Sequence, residues 1–266
     1  MGFFQSGGIL NRKGFFGGTT AAPFSPSDIS GLQLWLDATT GLFDATSGGN
    51  AVTTDGSAVA RWEDQSGNGR HVTQSTSNNR PVLKTAIQNS KNIVRFDGSN
   101  DVLTRSSFLF SQPSSSVFIA MSSNCATDRR LLCECSTTIS NPIFGLVQSD
   151  LSVSTELSIF YRYDSSVIAI NHPNLGTAFD NTFRLIAITD SQTVINSYIN
   201  KVSTGTVAYS RGPTSVNNFC IGALQRSNLG SAWAGDVAEV IIYNSVLSQS
   251  DRDRVSDYLY AKWAIV

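Results

Sequence analysis

A chain of 266 residues with 41% hydrophobic content can bury one sizeable core, and β-sandwiches of this length are commonly a single domain. The formal net charge of −1, from 19 Lys and Arg against 20 Asp and Glu, sets up no field favouring nucleic acid or an anionic membrane. No run approaches the roughly 18 apolar residues of a membrane span. Only 15% of residues are charged, while Ser, Thr, Asn and Gly abound, a surface composition common in extracellular and virion β-proteins.

Residues 1–27 differ from the rest. Gly2-Phe3-Phe4 followed by Gly7-Gly8 recurs as Gly14-Phe15-Phe16-Gly17-Gly18, and Pro23 and Pro26 follow. No helix or strand period runs through this segment. Its Phe pairs are isolated among glycines and make no apolar signal-peptide core, so secretion by a leader is not expected. Ordering such chain costs about 1–2 kcal/mol per residue, and a buried Phe returns roughly 1.5–3 kcal/mol. Paired aromatics in flexible chain favour folding on binding. The expectation is an extended arm, residues 1–27, that anchors in a partner through Phe3, Phe4, Phe15 and Phe16. A linker packed back on its own domain is the alternative.

The globular part starts at Asp28. Leu32, Leu34 and Leu36 alternate with Gln33, Trp35 and Asp37, as in a half-buried strand. Val59 to Trp62 is a second short strand, ending in the turn signal Asp64-Gln65-Ser66-Gly67-Asn68-Gly69. Ile93 to Phe96 runs into Asp97-Gly98-Ser99-Asn100-Asp101, another turn, and then Val102-Leu103. Further strands are expected over 116–121, 131–135, 143–147, 157–163, 167–170, 183–189, 194–200 and 219–223. Many short strands parted by Gly, Asn and Ser turns, without βαβ alternation, predict an antiparallel all-β sandwich or jelly roll over 28–266.

The four cysteines, Cys125, Cys133, Cys135 and Cys220, are read as free thiols. Cys133 and Cys135 share a strand face too awkwardly for an easy mutual disulfide. A C-x-C with only two histidines makes no zinc site.

At the C-terminus, Val237 to Tyr243 is a near-continuous apolar run suited to a strand covered on both faces. Ser248 is a good N-cap with Asp251 three residues on. Val255, Tyr258, Leu259 and Lys262 then lie on one face of a short closing helix.

Taken in order, Leu32 to Ala38, Val59 to Gly69, Val94 to Gly98, Tyr198 to Asn200, Phe219 to Ala223 and Gly235 to Asn244 resemble the concanavalin A-like lectin/glucanase superfamily, in particular the laminin G-like jelly-roll domains of bacterial and phage proteins. The resemblance spans roughly residues 28–266. It implies a domain that binds glycans or proteins, often with a rim calcium ion. Relatives often carry Asn-Gly after the Tyr-containing strand; Asn200-Lys201 stands here, which predicts a turn other than a tight type I′ hairpin. The arm is similar to the Gly-Phe-Phe starts of small phage virion proteins.

Glucanases on this fold place carboxylates at i, i+2 and i+4 on one strand, about 5.5 Å apart. The four glutamates, Glu63, Glu134, Glu156 and Glu239, show no such spacing, and His71 and His172 form no Ser-His-Asp arrangement. The chain is therefore read as no enzyme. Glu239, alone on an apolar strand, is expected to pair with an arginine or a turn amide. Asp97, Asn100 and Asp101 crowd one turn and offer hard oxygen ligands for calcium, with ordinary turn chemistry as the competing account; no other cofactor is expected. For glycans, Trp233 in small-residue loop sequence and Tyr161, Arg162 and Tyr163 in alternation are candidates, against a core role for the aromatics.

The expected function is a non-enzymatic phage virion surface protein, a capsid decoration or fibre-type subunit. It is made in the host cytoplasm and present in many copies or as a homo-oligomer. The arm docks into virion structural proteins and the lectin-like domain faces outward towards surface glycans. The alternative is a free or cell-associated carbohydrate-binding module. An accessory domain of a longer enzyme is a third reading, against which Met1 and the closing helix weigh.

Overall fold

The computed structural model describes residues 1–2 and 23–266. Phe3, Phe4, Phe15 and Phe16, the residues expected to anchor the arm, lie outside the described residues. In chain order the strands are β1 (Leu32–Asp37), β2 (Leu42–Phe43), β3 (Arg61–Trp62), β4 (Val72–Thr73), β5 (Val82–Gln88), β6 (Lys91–Asp97), β7 (Leu103–Ser106), β8 (Ser115–Ser123), β9 (Arg130–Cys135) and β10 (Ile143–Ser149). They continue with β11 (Leu157–Arg162), β12 (Ile168–Asn171), β13 (Arg184–Asp190), β14 (Val194–Ile199), β15 (Val202–Ala208), β16 (Asn218–Ile221), β17 (Leu224–Gln225), β18 (Leu229–Gly230) and β19 (Ala234–Tyr243), and the helix α1 (Gln249–Trp263) closes the chain.

Two antiparallel sheets pack face to face as a jelly-roll sandwich. Sheet A runs β15-β14-β13-β8-β19-β6-β5, with β1 also paired to β19; sheet B runs β12-β11-β10-β9-β16-β7-β4-β3-β2. Leu34, Val94, Phe96, Ile119 and Ile188 of sheet A meet Phe144, Leu146, Ile159 and Phe219 of sheet B in the main core. Alternation along each strand supplies this inner face.

Both outer faces are also covered, in different ways. On sheet A, Phe118, Leu185, Ala187, Ile241 and Tyr243 lie under Leu247, Val255, Leu259 and Trp263 of the closing segment. Each such burial contributes roughly 1.5–3 kcal/mol. Ser248 caps α1 as expected, its Oγ accepting the Asp251 amide at 3.1 Å. On sheet B, the thiols of Cys133, Cys135 and Cys220 sit with Ile143 and Phe160 beneath the small β17–β18 hairpin. All four cysteines are buried and free.

Three expectations are corrected. Ile199 pairs directly with Val202, and Asn200 and Lys201 both have positive φ, at 49° and 66°. That is the two-residue turn of a tight type I′ hairpin, with Lys201 at the position glycine usually fills. Asn200 Oδ1 accepts the Leu185 amide at 2.9 Å, which helps hold the turn. Leu32 leaves the expected alternation: a register shift between it and Leu34 puts it on the helix side with Trp35, whose indole donates to Glu239 at 2.6 Å, while Leu34 and Leu36 face the main core as expected. Glu239 itself pairs with a lysine and aromatic donors, not with an arginine or a turn amide. It accepts from Trp35, Tyr258 (2.8 Å) and Trp263 (2.7 Å), and Lys262 lies 2.8 Å away.

Candidate functional site

The register of three strands in sheet A builds a polar cleft at one rim. Asp236 pairs with Arg95 of β6 on one side and Ser122 of β8 on the other, so all three side chains fall in one cross-strand row. Arg95 forks onto Asp236 through Nε at 2.6 Å and Nη2 at 2.8 Å. That pairing, first among its causes, raises the Arg95 pKa above its ordinary value. The cleft encloses ≈ 370 Å³ and is lined by Arg95, Asp97, Ser122, Asn124, Asn181 and Asp236, among others.

Glycine makes this geometry possible. Gly235 has φ +153°, and a Cβ there would lie 2.4 Å from the Ser122 carbonyl oxygen and 2.6 Å from the Trp233 ring. Only a residue without a side chain lets β19 cross so closely over β8.

Among the described residues, the side chains of Ser122, Asn124 and Asn181 make no hydrogen bond, while Asn181 is held by its backbone N–H on the Ser123 carbonyl at 2.6 Å. Hydroxyl and amide groups presented on a fixed backbone, beside a charged fork, are the chemistry that recognises sugar hydroxyls.

The acidic turn borders this cleft, but its oxygens serve the turn. Asp97 Oδ1 accepts the amides of Ser99 at 2.8 Å and Asn100 at 3.2 Å, and Asp101 Oδ2 accepts the Asp97 amide at 2.9 Å. This is the turn chemistry that competed with calcium. Among the described residues no three His, Cys, Asp or Glu side chains gather as metal ligands. Burial raises the Asp101 pKa from 3.8 to about 6, against the opposing Asp97 N–H.

The glycan candidates do not converge. Trp233 is fully buried, edge-to-face with Phe96 at 6.1 Å, and offers no exposed ring face to a sugar. Tyr161 is fully buried too, against Phe110, Phe144, Tyr163 and Tyr209, with its hydroxyl 2.7 Å from Thr214 Oγ1. Tyr163 does share its face, but that face is the inner one; its ring packs on Gly212 and its hydroxyl donates to the Ser210 carbonyl at 2.5 Å. Only Arg162 points outward from sheet B, donating to the carbonyls of Asn141 at 2.6 Å and Ser140 at 3.2 Å. Tyr161 and Trp233 are core residues, and Tyr163 packs half-buried against that core.

The cleft residues Arg95, Ser122, Asn124, Asn181 and Asp236 were not singled out from sequence. The stretches Val94 to Gly98 and Gly235 to Asn244 carried the family pattern; pairing them would have set Arg95 opposite Asp236. Nothing local marks Asn124 or Asn181.

A jelly-roll sandwich of this topology is a concanavalin A-like fold. The chain belongs to the concanavalin A-like lectin/glucanases superfamily, whose model matches residues 94–251. A comparison with curated protein sequences finds no match. Among solved structures the chain is similar to the binding domain of Paraclostridial Mosquitocidal Protein 1, at TM-score 0.59 and 12% identity, covering 89% of this chain and 53% of that one. It is also similar to the botulinum neurotoxin serotype D binding domain (TM-score 0.55, 12% identity, 86% of this chain and 52% of that one). A third is Trypanosoma rangeli sialidase in complex with 2,3-difluorosialic acid (TM-score 0.55, 14% identity, 90% and 34%). The chain spans about half the length of the two binding domains, and these likenesses establish the fold alone.

Proposed function

We propose that this protein is a non-enzymatic, lectin-like domain that binds glycans in the rim cleft. The observation that carries the reading is the set of uncommitted side chains, Ser122, Asn124 and Asn181, around the Arg95–Asp236 fork. The placement of the carboxylates supports a binding role. Glu134 is buried and accepts the amides of Phe108, Leu109 and Phe110, and Glu239 serves the helix contact. Asp236 is held by Arg95. Of the two carboxylates that line the cleft, Asp236 is tied to Arg95 and Asp97 to the amides of its own turn, so neither stands free as the acid or nucleophile of a glycosidase pair.

The setting we propose is a phage particle, with the domain displayed as a capsid decoration or fibre-type subunit and the Gly/Phe-rich residues 1–27 docked into virion structural proteins. Repetition on one particle gives weak single-site contacts avidity. The arm's paired aromatics support this setting over a free module.

Screening the full chain on an array of neutral and acidic glycans tests the cleft. Binding that weakens in Asn124→Ala and Asn181→Ala, with unchanged thermal stability, is the expected result; binding indifferent to both substitutions removes the cleft from the account. The arm is tested separately. Replacing Phe3, Phe4, Phe15 and Phe16 by serine in the full chain should abolish attachment to particles lacking this protein and leave glycan binding intact.

A further inference from the structure

The outer face of sheet B holds polar chemistry that the rim cleft does not use. Directly paired residues point to the same side of a sheet. The register therefore sets Arg130, Gln148 and Ser158 in one row across β9, β10 and β11 on the face away from the core. Arg130 Nε, Gln148 Oε1 and Ser158 Oγ are all buried and lack a hydrogen-bond partner among the described residues. In a folded protein such atoms are the exception. Gln148 Nε2 lies 2.9 Å from His172 Nδ1, and the His172 ring stacks on Phe160 at 4.9 Å.

Two guanidiniums flank the Phe160 ring, Arg130 at 5.9 Å and Arg162 at 5.8 Å from its centroid. Arg130 has a carboxylate partner, Asp128 at 2.8 Å. Arg162 and Arg226 have none among the described residues: both donate to one carbonyl, that of Ser140. Burial first, then repulsion from Arg226 and Arg130, lowers the Arg162 pKa, so these cations are brought together at an electrostatic cost. Beside them lies a cavity of ≈ 270 Å³ whose lining includes Ser140, Arg226, Ser227, Asn228 and Ser231. The hairpin that carries Arg226 covers the thiols, so the charge sits on a fixed support.

We propose that this face is a second binding site, taking the oxyanion of an acidic saccharide, a carboxylate or a sulfate ester, between Arg162 and Arg226. Guanidinium forks match the geometry of both anions. The hydroxyl and amide side chains of Ser227, Asn228 and Ser231 line a space suited to the attached sugar ring. Nucleic acid fits poorly, since Phe160 is only 7% exposed and presents no free face to a base.

The test uses the full chain and calorimetric titration with four probes: a sulfated heparin hexasaccharide, a hexagalacturonate, neutral maltohexaose and sodium sulfate. At least one acidic oligosaccharide is expected to bind, with affinity falling as salt rises. Arg226→Gln should weaken it at least about tenfold, as loss of a charge-assisted contact implies, and Arg226→Lys should recover part of it. Arg162→Gln is the second variant, read alongside thermal stability. Binding of only the sulfated or only the uronate probe supports the proposal and names the anion. Equal affinity in wild type and Arg226→Gln overturns it, as does binding of neither acidic probe, or sodium sulfate binding as tightly as the oligosaccharides. A single-stranded oligonucleotide binding more tightly than either acidic probe would overturn it as well. Asn124→Ala leaves this titration unchanged, so failure here and failure of the rim cleft are told apart.

Discussion

The outer faces of the two sheets are both covered, yet they treat buried polar groups in opposite ways. On sheet A the fully buried Glu239 is satisfied by two indoles, a phenol and an ammonium, and Lys262 also reaches Asp37 at 2.5 Å. That network ties β1, β19 and α1 together. On sheet B, Arg130, Gln148 and Ser158 keep unpartnered atoms, and Arg162 and Arg226 face no carboxylate among the described residues. A satisfied network rigidifies a fold; an unsatisfied one costs stability and leaves groups open to a ligand. The first face is closure and the second is recognition.

The sharpest way to break the comparison is at Glu239. Glu239→Ala leaves Lys262 and two indole N–H groups without their shared acceptor. Removing one partner from a buried charged network costs about 3–5 kcal/mol, to be read as a lowered urea midpoint. A variant within 1 kcal/mol of wild type, on the order of an ordinary surface change, would mean the helix is held by its apolar face alone.

Next in size is Gly222→Ala, which probes the rim. Gly222 has φ +96°, and an added Cβ would lie 2.2 Å from the Phe96 ring and 2.9 Å from the Asp101 carbonyl oxygen. Strain of this kind, with overpacking, costs about 1–3 kcal/mol. Phe96 leads directly into the acidic turn, so the substitution should also weaken glycan binding in the cleft.

A smaller effect separates the rim by pH. The folded chain holds the Asp101 proton more tightly than the unfolded chain, with a pKa raised from 3.8 to about 6. The stability this lends is fully present below 3.8 and is lost as pH rises through about 6. Urea midpoints taken from pH 3.5 to 7 should therefore fall across that window, and Asp101→Asn should flatten this part of the profile. An identical slope in the variant would assign the pH dependence elsewhere, Glu239 being the first suspect, since burial raises its pKa too.

Closure was far more legible in the sequence than recognition was. The apolar run at Val237 to Tyr243, the Ser248 cap and the Val255–Leu259 stripe are local patterns, and each sits where its period predicts. Of the strands that escaped, β2, β4, β17 and β18 are two residues long and carry no period, while the two long ones, β5 and β15, are edge strands with mixed burial, so neither keeps a clean alternation. The aromatics misled because an exposed and a buried tyrosine look alike in sequence; Tyr161 and Tyr163 do share a face, but nothing local says which. The cleft and the outer-face arginines come from register. Arg95 meets Asp236 across 141 positions, and Arg226 reaches Ser140 across 86. No window of sequence contains such a pair.

The least perturbing substitution is the most discriminating. Arg226→Gln removes a cation that repels Arg162 and has no carboxylate to lose, so stability should stay within about 0.5 kcal/mol of wild type. At low ionic strength any change should be on the stabilising side, and it should shrink as salt shortens the reach of the repulsion. Glu239 gives the opposite expectation, a large loss with little dependence on salt, because its network is buried. Unchanged stability would leave Arg226 free of any folding role and available for binding. Should Arg226→Gln instead destabilise the chain by about 2 kcal/mol or more, in the range of losing a buried hydrogen bond, the arginine is a strut for the hairpin, and the contrast between the two faces reduces to two styles of closure.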